Sequence, residues 1–418
     1  MNDAIKDPPQ KNRITLYILL AMVAGIVIGY LINRYLEGKP DTTRDSVLQP
    51  FSLLADIFLR LVKMIIAPLV FSTLVVGVAK QGSVKSVGRI GGKTLLWFIC
   101  FSFISLALGM GLVNFFTPGS SMNLPLPDAA DATVAHASLS LKEFISHIFP
   151  VSVIDAMAKN EILQVVVFSL FFGVATAAVG EKGAIVVTFL DSVSHIILKM
   201  TAYIMNFAPF AVLGAMTAVI GKQGLGILST YSLFIGEFYL GLFILLAILL
   251  GALWLFVRWR VRTLLRHIKE PALLAFSTAS SEAAFPKLML ELERFGCDEK
   301  IVSFVLPLGY SFNLDGSMMY MSFASLFIAQ CYGIHLDTGT QISMLLVLMI
   351  TSKGIAGVPR ASLVVIAGTL ATFKIPEAGL ALLLGIDPLL DMGRAATNVV
   401  GNSVATVAMC KIEGALKD

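Results

Sequence analysis

At 418 residues, with 57% hydrophobic and 14% charged side chains and a mean hydropathy of +0.84, the chain holds far more apolar surface than a soluble domain can bury. The net charge of +4 sits in short basic clusters between apolar runs, which excludes a polyanion-binding module and reads as membrane topology. Cys100, Cys297, Cys331 and Cys410 are far apart and lack metal-binding spacing, so they read as reduced, packed thiols.

The polar start, Met1 to Arg13, precedes an uncharged run from Ile14 to Asn33 that is long enough to span a bilayer. It is expected to be kept as a first crossing and not cleaved as a signal peptide. Phe51 to Ala79 predicts a long, tilted second helix with Asp56, Arg60 and Lys63 on one face. Thr94–Thr117, Ile162–Gly180, Met200–Gly221 and Phe238–Val257 are further uncharged runs of spanning length. The segment from Pro118 to Ser140 has no Lys or Arg and reads as an external loop, whereas Lys80 to Lys93 and Arg258 to Lys269 are basic and read as cytoplasmic. This puts both termini in the cytoplasm. The histidines, including His147 and His195, are scattered and read as satisfied or interfacial side chains.

After Arg266 the pattern changes. Pro271 to Pro286 (PALLAFSTASSEAAFP) is too short to cross and has hydroxyl residues at its centre, which predicts a re-entrant hairpin. Ile301 to Leu336 crosses with an interruption at Asn313–Ser317 (NLDGS). Ile342 to Ile350 leads into a second small-residue tip at Thr351–Ser362, and Ala378 to Met409 crosses last, interrupted by Asp391–Asn402 (DMGRAATNVVGN). One unit is thus written twice, a hairpin followed by a broken helix, entering from opposite faces. Such inverted repeats mark secondary transporters.

A charge at membrane depth costs at least about 2.5 to 3.5 kcal/mol, so Glu282, Asp315, Arg360, Asp391 and Arg394 point to a polar site for a charged solute. Asp391, Arg394, Asn398 and Asn402 fall on one helical face, offering a carboxylate, a guanidinium and two amides. That set suits an acidic amino acid: an anion for its ammonium, a planar fork for the distal carboxylate and amides for the α-carboxylate. The bland alternative is that Asp391 and Arg394 neutralise each other. Asn313 and Asp315, with Gly316 loosening the helix, suit either a small hard cation or a hydrogen-bonded kink. The tips, with Ser277, Ser280 and Ser281 in one and GIAGVP in the other, are read as anion cradles or as close helix packing.

STASSEAAFP, GYSFNLDGS, SKGIAGVP and DMGRAATNVVGN, in this order, closely resemble the glutamate transporter family of dicarboxylate and amino acid:cation symporters, over about Ile14 to Lys411. The resemblance implies an all-α integral membrane protein with eight transmembrane helices and two re-entrant hairpins, working as an elevator in a homotrimer. Scaffold helices one and two would lie in residues 1–80 and helices four and five in 119–222. Helix three in 81–118 and helices six to eight with both hairpins in 223–418 would form the moving body. By the same resemblance, Asp391 binds the substrate ammonium, Arg394 its side-chain carboxylate and Asn398 its α-carboxylate, with Ser280, Ser281, Ser317 and the backbone near Val358 completing the pocket. Ion-binding candidates are Ser102, Gly309, Ser311, Asn313, Asp315, Ser352, Asn398 and Asn402, with sodium implied at Gly309, Asn313, Asp315, Asn398 and Asn402. The related C4-dicarboxylate carriers lack the aspartate that Asp391 matches. This chain also departs from the family: Asn402 replaces a cation-binding aspartate, Phe101 and Ala395 replace threonines, and Arg360 replaces a glycine.

The expected function is therefore import of L-glutamate or L-aspartate across a bacterial inner membrane, with no reaction catalysed and no cofactor beyond the coupling cation. The missing carboxylate at Asn402 favours H+ over Na+, with Glu282 as the proton carrier and Arg360 as its partner. Sodium-coupled amino acid or C4-dicarboxylate symport is the alternative. An intramembrane aspartyl protease using Asp315 and Asp391, or a passive anion channel, is more remote.

Overall fold

The computed structural model describes residues 13–81, 84–121, 149–224, 231–352, 361–384 and 386–417. These are helical, and the described residues contain no strand beyond an isolated bridge between Cys297 and Leu416. The main helices are α1 (Arg13–Tyr35), α2 (Asp41–Gln81), α3 (Val84–Phe116), α4 (Ile162–Val179), α5 (Ala184–Met205), α6 (Ala208–Gln223) and α7 (Ser232–Val257). They continue as α8 (Arg260–Thr278), α9 (Ser281–Phe295), α10 (Glu299–Phe312), α11 (Asp315–Cys331), α12 (Thr338–Thr351), α13 (Ala361–Thr372) and α14 (Asp387–Ile412). Leu16–Tyr35, Thr42–Ala79, Gly88–Ser120, Ile162–Met205 and Ser232–Val257 are long and apolar enough to cross a membrane.

Two expectations about the helices are corrected, and one helix is added. The run Met200–Gly221 is not one helix: it breaks at Asn206–Phe207 because Pro209, which lacks an N–H, restarts the helix as α6. Ahead of it, α5 carries Asp191, His195 and Lys199 one turn apart on one side, and these charges concealed a helix from a search for uncharged runs. The last helix is unbroken through Asp391–Asn402, since the interruption lies upstream and Pro388 occupies its first turn. Gly393 and Gly401 serve close packing instead: a Cβ on Gly393 would meet Leu242 and Tyr239, and one on Gly401 would strike the Asp315 carboxylate.

The first hairpin forms as expected, with longer arms. Helix α8 ends at Thr278, Ala279 takes a left-handed φ of 49°, and Ser280 caps α9 by accepting the Ala283 N–H at 3.4 Å. Towards their far ends the arms are joined by Lys287 with Glu270 and by His267 with Glu291. Lys287 lies 3.5 Å from Glu270 and 3.6 Å from Glu291, and His267 lies 3.0 Å from Glu291. The second tip, with Val358 and Arg360, lies outside the described residues, as does His147 and all of the external loop beyond Pro118–Ser121.

Packing falls into two neighbourhoods. Helices α1 and α2 pack on α6, and α4 and α5 pack on α2, through small residues such as Gly25, Gly29 and Gly214 that let backbones touch. Around α14 lie α3 and α7 to α11, while α2 also meets α9 and α10. Helix α11 is buried from Asp315 to Ala329, so the polar motifs of α11 and α14 face each other in the interior. All four cysteines are free thiols; Cys297 and Cys410 are buried, but Cys100 is exposed, contrary to the packed position expected of it.

Candidate substrate site

The site is built on the stripe of α14. Arg394 is only 1% exposed, and a guanidinium so buried is sustained by its partners. Its Nε donates to Asp391 Oδ1 at 3.1 Å, and its Nη2 lies 2.9 Å from that oxygen and 3.0 Å from Asp387 Oδ1. The Tyr320 ring lies 4.0 Å from the guanidinium carbon, and its hydroxyl donates to Asp387 Oδ1 at 3.1 Å. Arg394 Nη1 is buried and has no hydrogen-bond partner among the described residues. One face of the planar fork is thus held by protein while the other has a donor to offer, the arrangement an incoming carboxylate completes. The pairing of Asp391 with Arg394 shows that the bland reading is also present, but with a donor left over.

Two carboxylates against one guanidinium leave this cluster with one formal negative charge. Asp391 is its accessible member, with a third of its side chain exposed, whereas Asp387 is sealed at 1%. Sequence reasoning missed Asp387 and Tyr320. Asp387 extends the stripe one turn before Asp391 and was legible by that spacing, whereas nothing in the sequence marks Tyr320.

Asn398 ties α14 to the start of α11. Its Oδ1 accepts the N–H groups of Gly316 and Ser317 at 2.9 and 3.4 Å, and its Nδ2 donates to Ser317 Oγ at 3.1 Å. These otherwise unpaired first-turn N–H groups are thereby satisfied. In this conformation the Asn398 side-chain oxygen accepts two backbone N–H groups, and the amide lies against Ser317 at the start of α11.

Most of the remaining set does assemble. Helix α10 ends at Phe312, Asn313 and Leu314 leave helical geometry, and α11 restarts at Asp315. Within this break Asn313 Nδ2 donates to Asp315 Oδ2 at 3.1 Å and to Asn402 Oδ1 at 3.2 Å. Gly309 lies against Asn402, where a Cβ would stand 2.5 Å from Oδ1. Asn313 Oδ1, Asn402 Nδ2 and the Ser311 hydroxyl are buried without a hydrogen-bond partner among the described residues. Ser102 is buried on α3, and Ser352 closes α12 with its hydroxyl donating to Met349 O at 3.1 Å.

At the first tip, Ser280 is spent as a cap, Ser277 donates to Leu273 O at 2.7 Å, and the carbonyl of Ser281 accepts the Tyr310 hydroxyl at 3.0 Å. Glu282 lies 3.7 Å from Lys63 of α2, a partner the sequence did not suggest. Among the departures, Phe101 stacks on Trp97 with ring centroids 4.7 Å apart, and Ala395 is buried.

Comparison with known proteins matches residues 14–412 to the sodium:dicarboxylate symporter family. The C4-dicarboxylate transport protein of Rhizobium etli is 41% identical, covering 99% of this chain and 93% of that relative. The C4-dicarboxylate transport protein of Bacillus subtilis is 38% identical over 96% of this chain and 94% of its own length. The proton/sodium-glutamate symport protein of Geobacillus stearothermophilus is 40% identical over 93% of each chain.

Proposed function

The chain belongs to the sodium:dicarboxylate symporter family, and from that premise we propose that it is a cation-coupled importer of small dicarboxylates in a bacterial inner membrane. The observation that carries this reading is the buried Arg394 Nη1, a charged donor without an acceptor among the described residues, at the centre of the α14 stripe. The names of the Rhizobium and Bacillus relatives favour a C4-dicarboxylate as substrate. This departs from the amino acid expected from sequence. Asp391 favours a second reading, an acidic amino acid, because an exposed carboxylate in a net-negative cluster suits an ammonium; the Geobacillus relative's name agrees. L-Aspartate satisfies both, being a four-carbon dicarboxylate with an ammonium.

Transport is assigned to a body of α3 and α7 to α14 moving against a scaffold of α1, α2 and α4 to α6 in a homotrimer. The two packing neighbourhoods support that division. Coupling is assigned to H+ ahead of Na+. The cluster of Asn313, Asp315 and Asn402 carries a single carboxylate, and tight sodium binding generally needs more anionic oxygen. Glu282 is the proton carrier in this reading. Lys63 from α2 and Tyr310 from α10 face it; His267 and Glu270 of α8 and His195 of α5 meet α9 near its other end, and Asp391 of α14 pairs with Arg394.

Purified protein in liposomes is expected to accumulate labelled succinate or L-aspartate under an inward proton gradient without sodium, with Glu282→Gln losing that drive. Uptake that is sodium-dependent and indifferent to pH refutes proton coupling. Asp391→Asn is expected to weaken competition by L-aspartate about tenfold or more, roughly 1.4 kcal/mol, while succinate affinity changes far less. Equal losses for both substrates remove Asp391 from ammonium recognition.

A further inference from the structure

Two contacts of different kinds meet at the first hairpin tip, beside that of Ser277 with Met22 of α1. On the α10 side the Tyr310 hydroxyl donates to Ser281 O at 3.0 Å, and the Phe285 and Tyr310 rings meet edge to face at 4.9 Å, both rings buried. This is a packed joint. On the α2 side, the ion pair facing the tip is Lys63 Nζ with Glu282 Oε2 at 3.7 Å, its side chains 35% and 28% exposed. That separation is longer than a charge-assisted hydrogen bond, and the partners are long, flexible side chains that the surrounding protein leaves partly uncovered. Such a contact attracts without locking.

We propose that Lys63 and Glu282 form an electrostatic latch tying the first hairpin tip to α2, broken and remade as the hairpin moves past that helix, so that Lys63 is a positioning residue for transport. The inference rests on the moving-body reading above, because only there do α2 and α9 belong to different bodies. It adds a role for a residue outside the substrate stripe and gives Glu282 a partner whose charge it must lose to move. The neighbouring α10 contact, made by buried rings and a backbone carbonyl, travels with the hairpin and needs no release.

The test uses full-length protein in liposomes with labelled succinate and L-aspartate. Lys63→Met, and Glu282→Gln read as substrate exchange at equal pH on both sides, are each expected to shift the maximal rate about two- to fivefold, the range a partly exposed ion pair commands. Lys63→Glu, which sets two carboxylates face to face, should be worse than Lys63→Met. The exchanged pair Lys63→Glu/Glu282→Lys should return the rate to within about twofold of the unmodified protein, a rescue that loss of packing does not produce. If Glu282 is irreplaceable as a proton carrier, the exchanged pair fails under a proton gradient but recovers substrate exchange at equal pH on both sides. Failure in both regimes overturns the latch.

A second arm places Lys63→Cys and Glu282→Cys in a background without other cysteines. A short thiol cross-linker should join the pair and stop uptake reversibly, whereas full-rate uptake by cross-linked protein overturns the inference and leaves the symport reading standing. If the unmodified protein takes up neither substrate, the symport reading fails instead. The latch is then judged by thermal unfolding in detergent, where strictly additive shifts of Lys63→Met and Glu282→Gln overturn it.

Discussion

Replacing Arg394 with cysteine is expected to lower dicarboxylate affinity on the order of a thousandfold, the scale for truncating one member of a buried, hydrogen-bonded charge pair. Part of the loss is the missing donor: Nη1 is the atom a substrate carboxylate would meet. The rest comes from what remains, because Asp391 and the sealed Asp387 then share the site without a cation, and the Tyr320 face loses the charge 4.0 Å above it. A carboxylate ligand would enter a cluster of two acids. Arg394→Lys keeps the charge but loses the planar fork, so it should retain part of the affinity while losing two-point recognition. Equilibrium binding of labelled succinate and L-aspartate to purified protein measures both variants, and unchanged affinity in Arg394→Cys removes the residue from the site. Neutral amino acids, excluded because they bring no carboxylate for Arg394 Nη1, should be the first new ligands of the cysteine variant.

What the sequence revealed follows the physics of each signal. The break at Asn313–Leu314 was legible because an Asn-Leu-Asp-Gly run inside an apolar helix has no lipid-facing explanation. The first hairpin was legible from its serines, although its arms proved longer because their halves away from the tip are charged and paired. Helix α5 was hidden by the reverse effect, since Asp191, His195 and Lys199 interrupt an apolar run without interrupting a helix. The polar motif of α14 was misread as a break because Gly393 and Gly401 also suit a kink, whereas here they receive Tyr239, Leu242 and the Asp315 carboxylate. Spacing along one helix exposed Asp391, Arg394 and Asn398. Tyr320, Lys63 and Tyr310 reach the site from other helices, and no local pattern in one sequence encodes such meetings.

Substituting Gly316 is expected to damage both the fold and the site, because this residue sets how closely α11 approaches α14. A Cβ there would stand 2.8 Å from the Arg394 carbonyl oxygen, 3.0 Å from Arg394 Cα and 3.0 Å from Thr397 Cβ. Two of these atoms are helix backbone and cannot swing aside, so the helices must separate. Separation also stretches the 2.9 Å bond from the Gly316 N–H to Asn398 Oδ1 and carries Arg394 away from Tyr320. Gly316→Ala should cost about 1 to 3 kcal/mol, the usual penalty for overpacking, and Gly316→Val more, since its branched side chain adds two further atoms at the contact. The unfolding temperature in detergent should fall in that order, and the alanine variant that still folds should bind succinate and L-aspartate about tenfold more weakly. Gly251 of α7 is the control: a Cβ there meets nothing within 4 Å, so Gly251→Ala should be neutral or slightly stabilising through helix propensity alone. If Gly316→Ala is tolerated as well as Gly251→Ala, the close approach of α11 and α14 does not position Arg394, and the guanidinium is held by its acidic partners alone.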